Sequence, residues 1–214
     1  MSLIDSTITF VKDHLKTAEG GHDWFHVERV YKNALLIAQS ETCNLELVKL
    51  GALLHDIADS KFHNGDETVG PEMARTFLES KNASEETIVH VINIIENISF
   101  KGGSFEKKFN SIELEIVQDA DRLDAIGAIG IARTFNYGGF KNRQIYNPAI
   151  APKLTMSKEE YKNSDAPTLN HFYEKLLLLK DKMNTETGKK IALERHKYME
   201  NFLSQFYAEW EGEK

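Results

Sequence analysis

The stretch LGALLHDIAD, residues 50–59, places a histidine and an aspartate side by side within an apolar segment. Its apolar residues recur at positions 50, 53, 54 and 57, which is the spacing of a buried helix face. Asp56 would face the protein interior there, although aspartate is almost never fully buried unless it is paired. Either a divalent cation or a basic side chain must therefore compensate the charge of Asp56 beside His55.

Two other apolar segments carry a histidine or an aspartate in a similar position. His26 opens the amphipathic segment WFHVERVYKNALLIA, and Asp121 lies among the apolar residues of SIELEIVQDADRLDAIG. Three helices are thus predicted to bring one set of metal-binding side chains into a shared interior: His26, His55, Asp56 and Asp121. Two neutral imidazoles and two carboxylates suit a divalent transition metal. Such an ion lowers the pKa of a bound water and polarises a phosphoryl group, which is the chemistry of hydrolysis.

Helical periodicity runs along nearly the whole chain and predicts an all-α protein. The predicted helices are residues 3–18, 24–41, 44–58, 71–81, 84–99, 110–123, 124–136, 167–182 and 186–211. The segment IVHVINII is rich in β-branched residues, but its polar residues recur at helical spacing. Pro71 and Pro167 are predicted near helix starts, where proline is tolerated.

The stretch 137–166 is predicted to be a long loop, because it holds Gly138, Gly139 and two of the four prolines. Loops of this length in a compact domain are usually functional or mobile. We predict a single domain over residues 1–214. Its helical core spans about 20–136, and two C-terminal helices at about 167–211 pack onto that core.

Composition excludes several functional classes. The 214 residues carry a net charge of −7, which disfavours nucleic acid and anionic membranes as partners. Cys43 is the only cysteine, so no internal disulfide can form. The first 20 residues read as an amphipathic helix and not as a signal peptide, and no apolar run approaches membrane-spanning length. A cytoplasmic location is predicted, and a homodimer stays open.

Three stretches, HDWFHVERV, LGALLHDIAD and VQDADRLDAIGAIG, resemble the HD-domain superfamily of metal-dependent phosphohydrolases. The sequence from residue 169 onwards, beginning LNHFYEKLLLLK, resembles the C-terminal region of a compact bacterial branch of that superfamily. Well-described members of this branch hydrolyse deoxynucleoside triphosphates to the monophosphate and pyrophosphate. The resemblance implies an HD-domain helical bundle with two additional C-terminal helices and a nucleotide substrate.

The resemblance also implies one divalent metal ion, held by the four residues His26, His55, Asp56 and Asp121. Mn²⁺ is favoured, with Fe, Ni, Co, Mg and Zn as alternatives. A second ion would need another ligand such as His90, which we expect to lie at the surface or behind the ligands.

Other polar residues are candidates for catalysis or substrate binding. Asp59 lies four residues after His55 and could orient that ligand or accept a proton during hydrolysis. Lys61 and Arg29 are predicted to act with it, by holding a phosphate or neutralising a carboxylate. Four further residues are predicted to contact the substrate: His22, Lys101, Arg133 and Tyr137. His22 could instead lie behind the metal ligands and support one of them. Each of the four is also compatible with an ordinary structural or surface role.

Two other functions fit the same residues. A nucleoside 5′-monophosphatase or a cyclic-nucleotide phosphodiesterase would use the same metal set on a smaller substrate. A non-catalytic nucleotide-binding regulatory module would keep the set without turnover, although four intact metal-binding residues argue against it.

Overall fold

The computed structural model describes residues 2–17, 22–58, 66–98, 109–156, 160 and 164–214. It divides into two compact units, Met1–Asp121 and Arg122–Lys214. The described residues form helices joined by turns and contain no strand, so the prediction of an all-α protein is confirmed. The prediction of a single domain over residues 1–214 stays a prediction.

The first unit contains five complete helices and most of a sixth. They are α1 (Leu3–His14), α2 (Trp24–Ala38), α3 (Leu45–Leu54), α4 (Val69–Ser80), α5 (Glu85–Asn97) and α6 (Ile112–Asp124), with a short 3-10 turn (Leu15–Thr17) after α1. Four of them begin at a polar side chain that accepts a backbone N–H of the first turn: Ser2, Asp23, Asn44 and Ser84. The segment with β-branched residues, IVHVINII, is helical as predicted and forms most of α5.

The core of the first unit is built around α3, which packs against α1, α2 and α5. Leu50, Leu53 and Leu54 are fully buried, and the helix is apolar around most of its circumference, as a central helix must be. Its last residue, Leu54, immediately precedes His55. The central helix of the unit therefore ends at the residues singled out by the sequence.

The second unit contains α7 (Gly127–Phe140), the short α8 (Asn170–Glu174), a 3-10 helix (Leu176–Lys182) and the long α9 (Glu186–Trp210). The helix α9 packs against α7 and against the 3-10 helix. The rings of Phe135, Phe172 and Phe202 contact one another in this core. Gly138 is required near the end of α7, because a Cβ atom there would lie 2.2 Å from the hydroxyl of Thr168.

The prediction of one helix over residues 167–182 is wrong. Residues 168 and 169 instead donate their backbone N–H groups to the carbonyls of Gln144 and Ile145. The helix α8 then ends at Glu174, because the next residue, Lys175, has a φ of −144° and a ψ of −57°, outside the helical region. The leucine run that follows forms a 3-10 helix, and Arg122 donates to the Lys182 carbonyl at its end.

Smaller differences concern the ends of elements. The helix α7 continues to Phe140, so the irregular stretch predicted for 137–166 begins after Gly138 and Gly139 and not before them. Pro71 lies in the first turn of α4 and not at its first residue, which is acceptable because first-turn N–H groups have no helical partner. Among the residues described, no helix combines the length and apolar character needed to cross a membrane.

Candidate metal centre

His26 lies in the first turn of α2, and its position is fixed by the cap of that helix. The Asp23 carboxylate caps the helix by accepting the backbone N–H of His26 at 3.0 Å. The helix therefore begins at Trp24, and His26 lies in its first turn. The His26 side chain is only 3% exposed. Its Nε2 atom faces the end of α3, where the histidine and aspartate pair lies.

His55 caps the C-terminal end of α3, so the pair lies at the end of a helix and not inside it as predicted. The last carbonyls of a helix have no partner within the helix. The His55 Nδ1 atom lies 2.9 Å from one of these, the Ala52 carbonyl. Because a carbonyl can only accept, the Nδ1 atom carries the proton.

The other ring nitrogen of His55 is directed at His26, with 3.3 Å between the two Nε2 atoms. Burial lowers the pKa of His55, an effect that Asp121 and Asp56 oppose only in part, so the imidazole is neutral near pH 7. A neutral ring with its proton on Nδ1 has a lone pair on Nε2. His55 therefore presents a metal-binding lone pair toward His26.

Asp56 follows the end of α3 and faces the same point. Its Oδ2 atom lies 3.9 Å from His26 Nε2 and 2.6 Å from His22 Nδ1. Burial alone would raise the pKa of the Asp56 carboxyl, but the His22 hydrogen bond and the nearby His55, His22 and His26 hold it below its ordinary value. Asp56 is therefore an anion at neutral pH.

Asp121 approaches the two histidines from α6. Its Oδ1 atom lies 3.6 Å from His26 Nε2 and 3.9 Å from His55 Nε2. Its side chain is 40% exposed, whereas the two histidine side chains are almost fully buried. The cluster is therefore closed on the histidine side and open to solvent at Asp121.

The donor set fits a divalent cation. The ligand atoms of His26, His55 and Asp56 all lie within 4.8 Å of one another. Two nitrogen ligands about 2.1 Å from one ion would be separated by roughly 3.0–3.4 Å, and the two Nε2 atoms are 3.3 Å apart. Without a cation, a proton must lie between these two nitrogens; with one, both lone pairs and the carboxylate charge are compensated.

His22 belongs to this cluster through Asp56. The sequence placed His22 four residues before His26 in HDWFH and left open whether it lies behind the ligands or faces the substrate; it did not identify Asp56 as the partner. The histidine lies just before the cap of α2, and its side chain is 25% exposed. Its predicted role in substrate binding stays a prediction.

The predicted catalytic residues are placed only in part. Arg29 lies one turn after His26 on α2, with a partly buried side chain. Asp59, Lys61 and Lys101 lie outside the described residues. His90 does not join the cluster: its Nε2 atom lies 3.1 Å from the Ser111 hydroxyl and 3.4 Å from a Glu113 carboxylate oxygen.

Arg133 and Tyr137 lie on α7 in the second unit. The Arg133 guanidinium donates to the buried carboxylate of Asp124 at 2.5 Å and to its backbone carbonyl. Tyr137 is about half exposed, and the charged groups of Lys141 and Arg143 lie over its ring. The pairing of Arg133 with Asp124 was not predicted, and the substrate contacts of Arg133 and Tyr137 stay predictions.

Comparison with known proteins supports an assignment of this cluster to a family. Residues 24–126 match the HD domain family, a span that contains all four predicted metal ligands. The chain is similar to a HD-superfamily hydrolase from Bacillus thuringiensis, with 46% identity and a TM-score of 0.78 over 97% of this chain and 96% of that one. It is also similar to a solved Lactobacillus plantarum protein, with 35% identity and a TM-score of 0.82 over 99% of each chain.

A further relative is the protein YpgQ of Bacillus subtilis. It is 38% identical over 200 residues, which cover 92% of this chain and 88% of YpgQ. The structure of YpgQ in complex with ADP aligns with 34% identity and a TM-score of 0.76, over 96% of this chain and 97% of that one.

Proposed function

Because this chain belongs to the HD superfamily of hydrolases, we propose that it is a metal-dependent phosphohydrolase acting on nucleotides. The proposed reaction converts a (deoxy)nucleoside triphosphate to its monophosphate and pyrophosphate. The cluster of His26, His55 and Asp56, whose ligand atoms lie within 4.8 Å of one another, carries this proposal. Asp121 would complete the ligand set.

The protein residues prepare the centre in three ways. His55 is kept neutral by burial, so its Nε2 lone pair is available at neutral pH. Asp56 is kept anionic and supplies negative charge from inside the cluster. Asp121, on the exposed side, leaves room for a substrate phosphate to approach.

A divalent ion bound there would acidify a water molecule and polarise a phosphoryl oxygen. Mn²⁺ is the ion we propose, by resemblance to the branch that hydrolyses deoxynucleoside triphosphates. The remaining groups would act on the substrate. Asp59 would take the proton of the attacking water, and Lys61 and Arg29 would offset phosphate charge.

Substrate binding is proposed to involve His22, Lys101, Arg133 and Tyr137. The nucleotide class is supported by YpgQ, which has been solved in complex with ADP and is 34% identical to this chain in that comparison. Attack at the α-phosphorus would release pyrophosphate as a single leaving group. Attack at a terminal phosphorus would release orthophosphate instead.

The test is phosphorus NMR on the purified protein with Mn²⁺ and a mixture of deoxynucleoside triphosphates. We expect pyrophosphate and deoxynucleoside monophosphates to form together, and no turnover when a chelator removes the metal. Orthophosphate alone would contradict the pyrophosphohydrolase and leave a different phosphohydrolase. If no triphosphate, monophosphate or cyclic nucleotide is turned over with any divalent metal, the proposal of an enzyme is overturned and a regulatory module is favoured.

A further inference from the structure

One polar contact of the candidate metal centre links a predicted metal ligand to a residue outside the predicted ligand set. It joins His22 Nδ1 to Asp56 Oδ2 at 2.6 Å. His22 immediately precedes the cap of α2, and Asp56 immediately follows the residue that caps α3. The contact therefore ties the start of one helix to the end of another across 34 positions of sequence.

The chemistry of the two groups gives the direction of this hydrogen bond. In a contact of 2.6 Å between an imidazole nitrogen and a carboxylate oxygen, the ring N–H donates and the carboxylate accepts, so His22 is the donor through Nδ1. The distance is that of a strong, charge-assisted bond. The His22 ring also contacts the His26 ring edge to face, with 6.0 Å between centroids, which restricts its rotation.

His22 is placed behind the ligand set and not within it. Among the described residues, the ligand atoms that approach one another within 4.8 Å belong to His26, His55 and Asp56. The Nδ1 atom of His22 is already committed to the carboxylate. An ion held by the other groups would meet a carboxylate whose orientation His22 has fixed.

We infer that His22 is a positioning residue: its Nδ1–H group holds the Asp56 carboxylate in the orientation that binds the metal. The inference rests on the proposed metal-dependent function. A carboxylate on a turn after a helix end has freedom to rotate, and this freedom must be lost when an ion binds. A hydrogen bond made beforehand reduces that loss, and such partners typically change metal affinity by about 10- to 100-fold.

Two isosteric substitutions separate this role from a general structural one. The side-chain amide nitrogen of asparagine can occupy the place of Nδ1, whereas that of glutamine occupies the place of Nε2. His22→Asn therefore keeps a donor for Asp56, and His22→Gln and His22→Ala remove it. The measurement is Mn²⁺ affinity of the full chain, determined by competition with a chelator of known affinity.

We expect His22→Ala and His22→Gln to weaken Mn²⁺ binding by about 10- to 100-fold, and His22→Asn to stay within about threefold of the wild type. Thermal unfolding of the metal-free variants checks that each one folds. Wild-type affinity in His22→Ala would overturn the inference. Equal loss in all three variants would also overturn it, because the imidazole would then be a ligand itself.

The same titration separates this inference from the proposed function. A wild-type chain that binds no divalent metal would overturn the proposed function together with the premise of the inference. A wild-type chain that binds Mn²⁺ but hydrolyses no nucleotide would overturn only the proposed function, and the comparison of the three His22 variants would still decide the role of the residue.

Discussion

Two aspartates, one in each unit, have their negative charge compensated in different ways. In the second unit, the Asp124 side chain is 1% exposed, and its carboxylate accepts a hydrogen bond from the Arg133 guanidinium at 2.5 Å. In the first unit, Asp56 accepts a hydrogen bond from His22 and lies near the imidazoles of His26 and His55. One carboxylate thus faces a permanent positive charge, and the other faces imidazole rings, whose nitrogens can bind a metal.

The difference separates a structural acid from one prepared for a ligand. Arginine stays charged at all accessible pH values, so the Asp124 pair is complete in the protein alone. A histidine ring can donate a nitrogen lone pair to a metal ion, so the Asp56 cluster combines negative charge with nitrogen ligands. We therefore expect the first cluster to depend on a cation and the second to be indifferent to it.

Removal of the Asp56 carboxylate should produce the largest effect. Asp56→Ala deletes a ligand and the charge that attracts the ion, so metal-dependent hydrolysis should fall by at least about a thousandfold. Phosphorus NMR would report the activity, and metal content after gel filtration would report retention of the ion. The fold should be largely unchanged, because Asp56 lies beyond the last residue of α3 and its polar contacts are with His22 and His26.

Asp124→Asn is the matched control for this change, since it removes the same charge from the other pair. It should lower the stability of the protein but leave the affinity for Mn²⁺ within about threefold of the wild type. Full activity of Asp56→Ala, or loss of metal binding in Asp124→Asn alone, would reverse the assignment of the two acids.

Breaking the arginine pair should destabilise the second unit. Arg133→Met leaves the Asp124 carboxylate buried without its guanidinium, which should lower the free energy of unfolding by about 2–3 kcal/mol, less than for a fully buried pair because Arg133 is a quarter exposed. Urea unfolding measures the loss. The double variant Asp124→Leu with Arg133→Met should recover part of it, and a further loss in the double variant would refute the pairing as the cause.

Cation binding should stabilise the protein only through the histidine cluster. At roughly 100 times its Kd, an ion that binds the folded state alone adds about 2.7 kcal/mol to the free energy of unfolding. Thermal unfolding with Mn²⁺ and with a chelator measures this increment. It should persist in Asp124→Asn and vanish in Asp56→Ala; an increment that survives in Asp56→Ala would mean that the stabilising ion binds elsewhere.

Most of the fold follows from local patterns in the sequence. Polar caps such as Asp23 and Asn44 precede amphipathic runs, and those runs became helices within a few residues of their predicted limits. The exception is the segment 167–182. Its four consecutive leucines, residues 176–179, contain no polar residue to mark which side of a helix would be buried. Its true course depends on pairing with residues 144 and 145, which are distant in sequence and carry no local signal.

The clustering of the four candidate ligands was predictable because ligand types coincide with apolar helical spacing. The sequence predicted that His26, His55, Asp56 and Asp121 lie together, and the structure brings them together; their binding of a metal stays a prediction. The His22 contact was not predictable, because it depends on how the start of α2 meets the end of α3. The same holds for Arg133, whose partner lies nine residues away across the turn between two helices.

A histidine with a lowered pKa in each unit extends the comparison to pH. Burial lowers the pKa of both His55 and His171, but the charges around them differ. Asp121 and Asp56 partly restore the pKa of His55, whereas the nearby Lys175 and Arg143 depress that of His171 further, to about 3.

The lowered pKa of His171 should appear as a loss of stability in acid. The unfolded chain takes up a proton on His171 near its ordinary pKa of about 6.5, and the folded chain does so only near 3. Between these values the unfolded state binds more protons, so stability falls as the pH falls. From about pH 7 to about pH 5 the contribution of this residue should be about 1–2 kcal/mol.

His171→Gln tests the origin of this loss, because the amide keeps polar character but does not titrate. Urea unfolding of both proteins, metal-free, at several pH values should give a shallower decline of stability for the variant. Groups that titrate in both proteins cancel in the difference between the two curves. Parallel curves would show that His171 takes up its proton in the folded state as readily as in the unfolded one, and that the cations beside it do not control its charge.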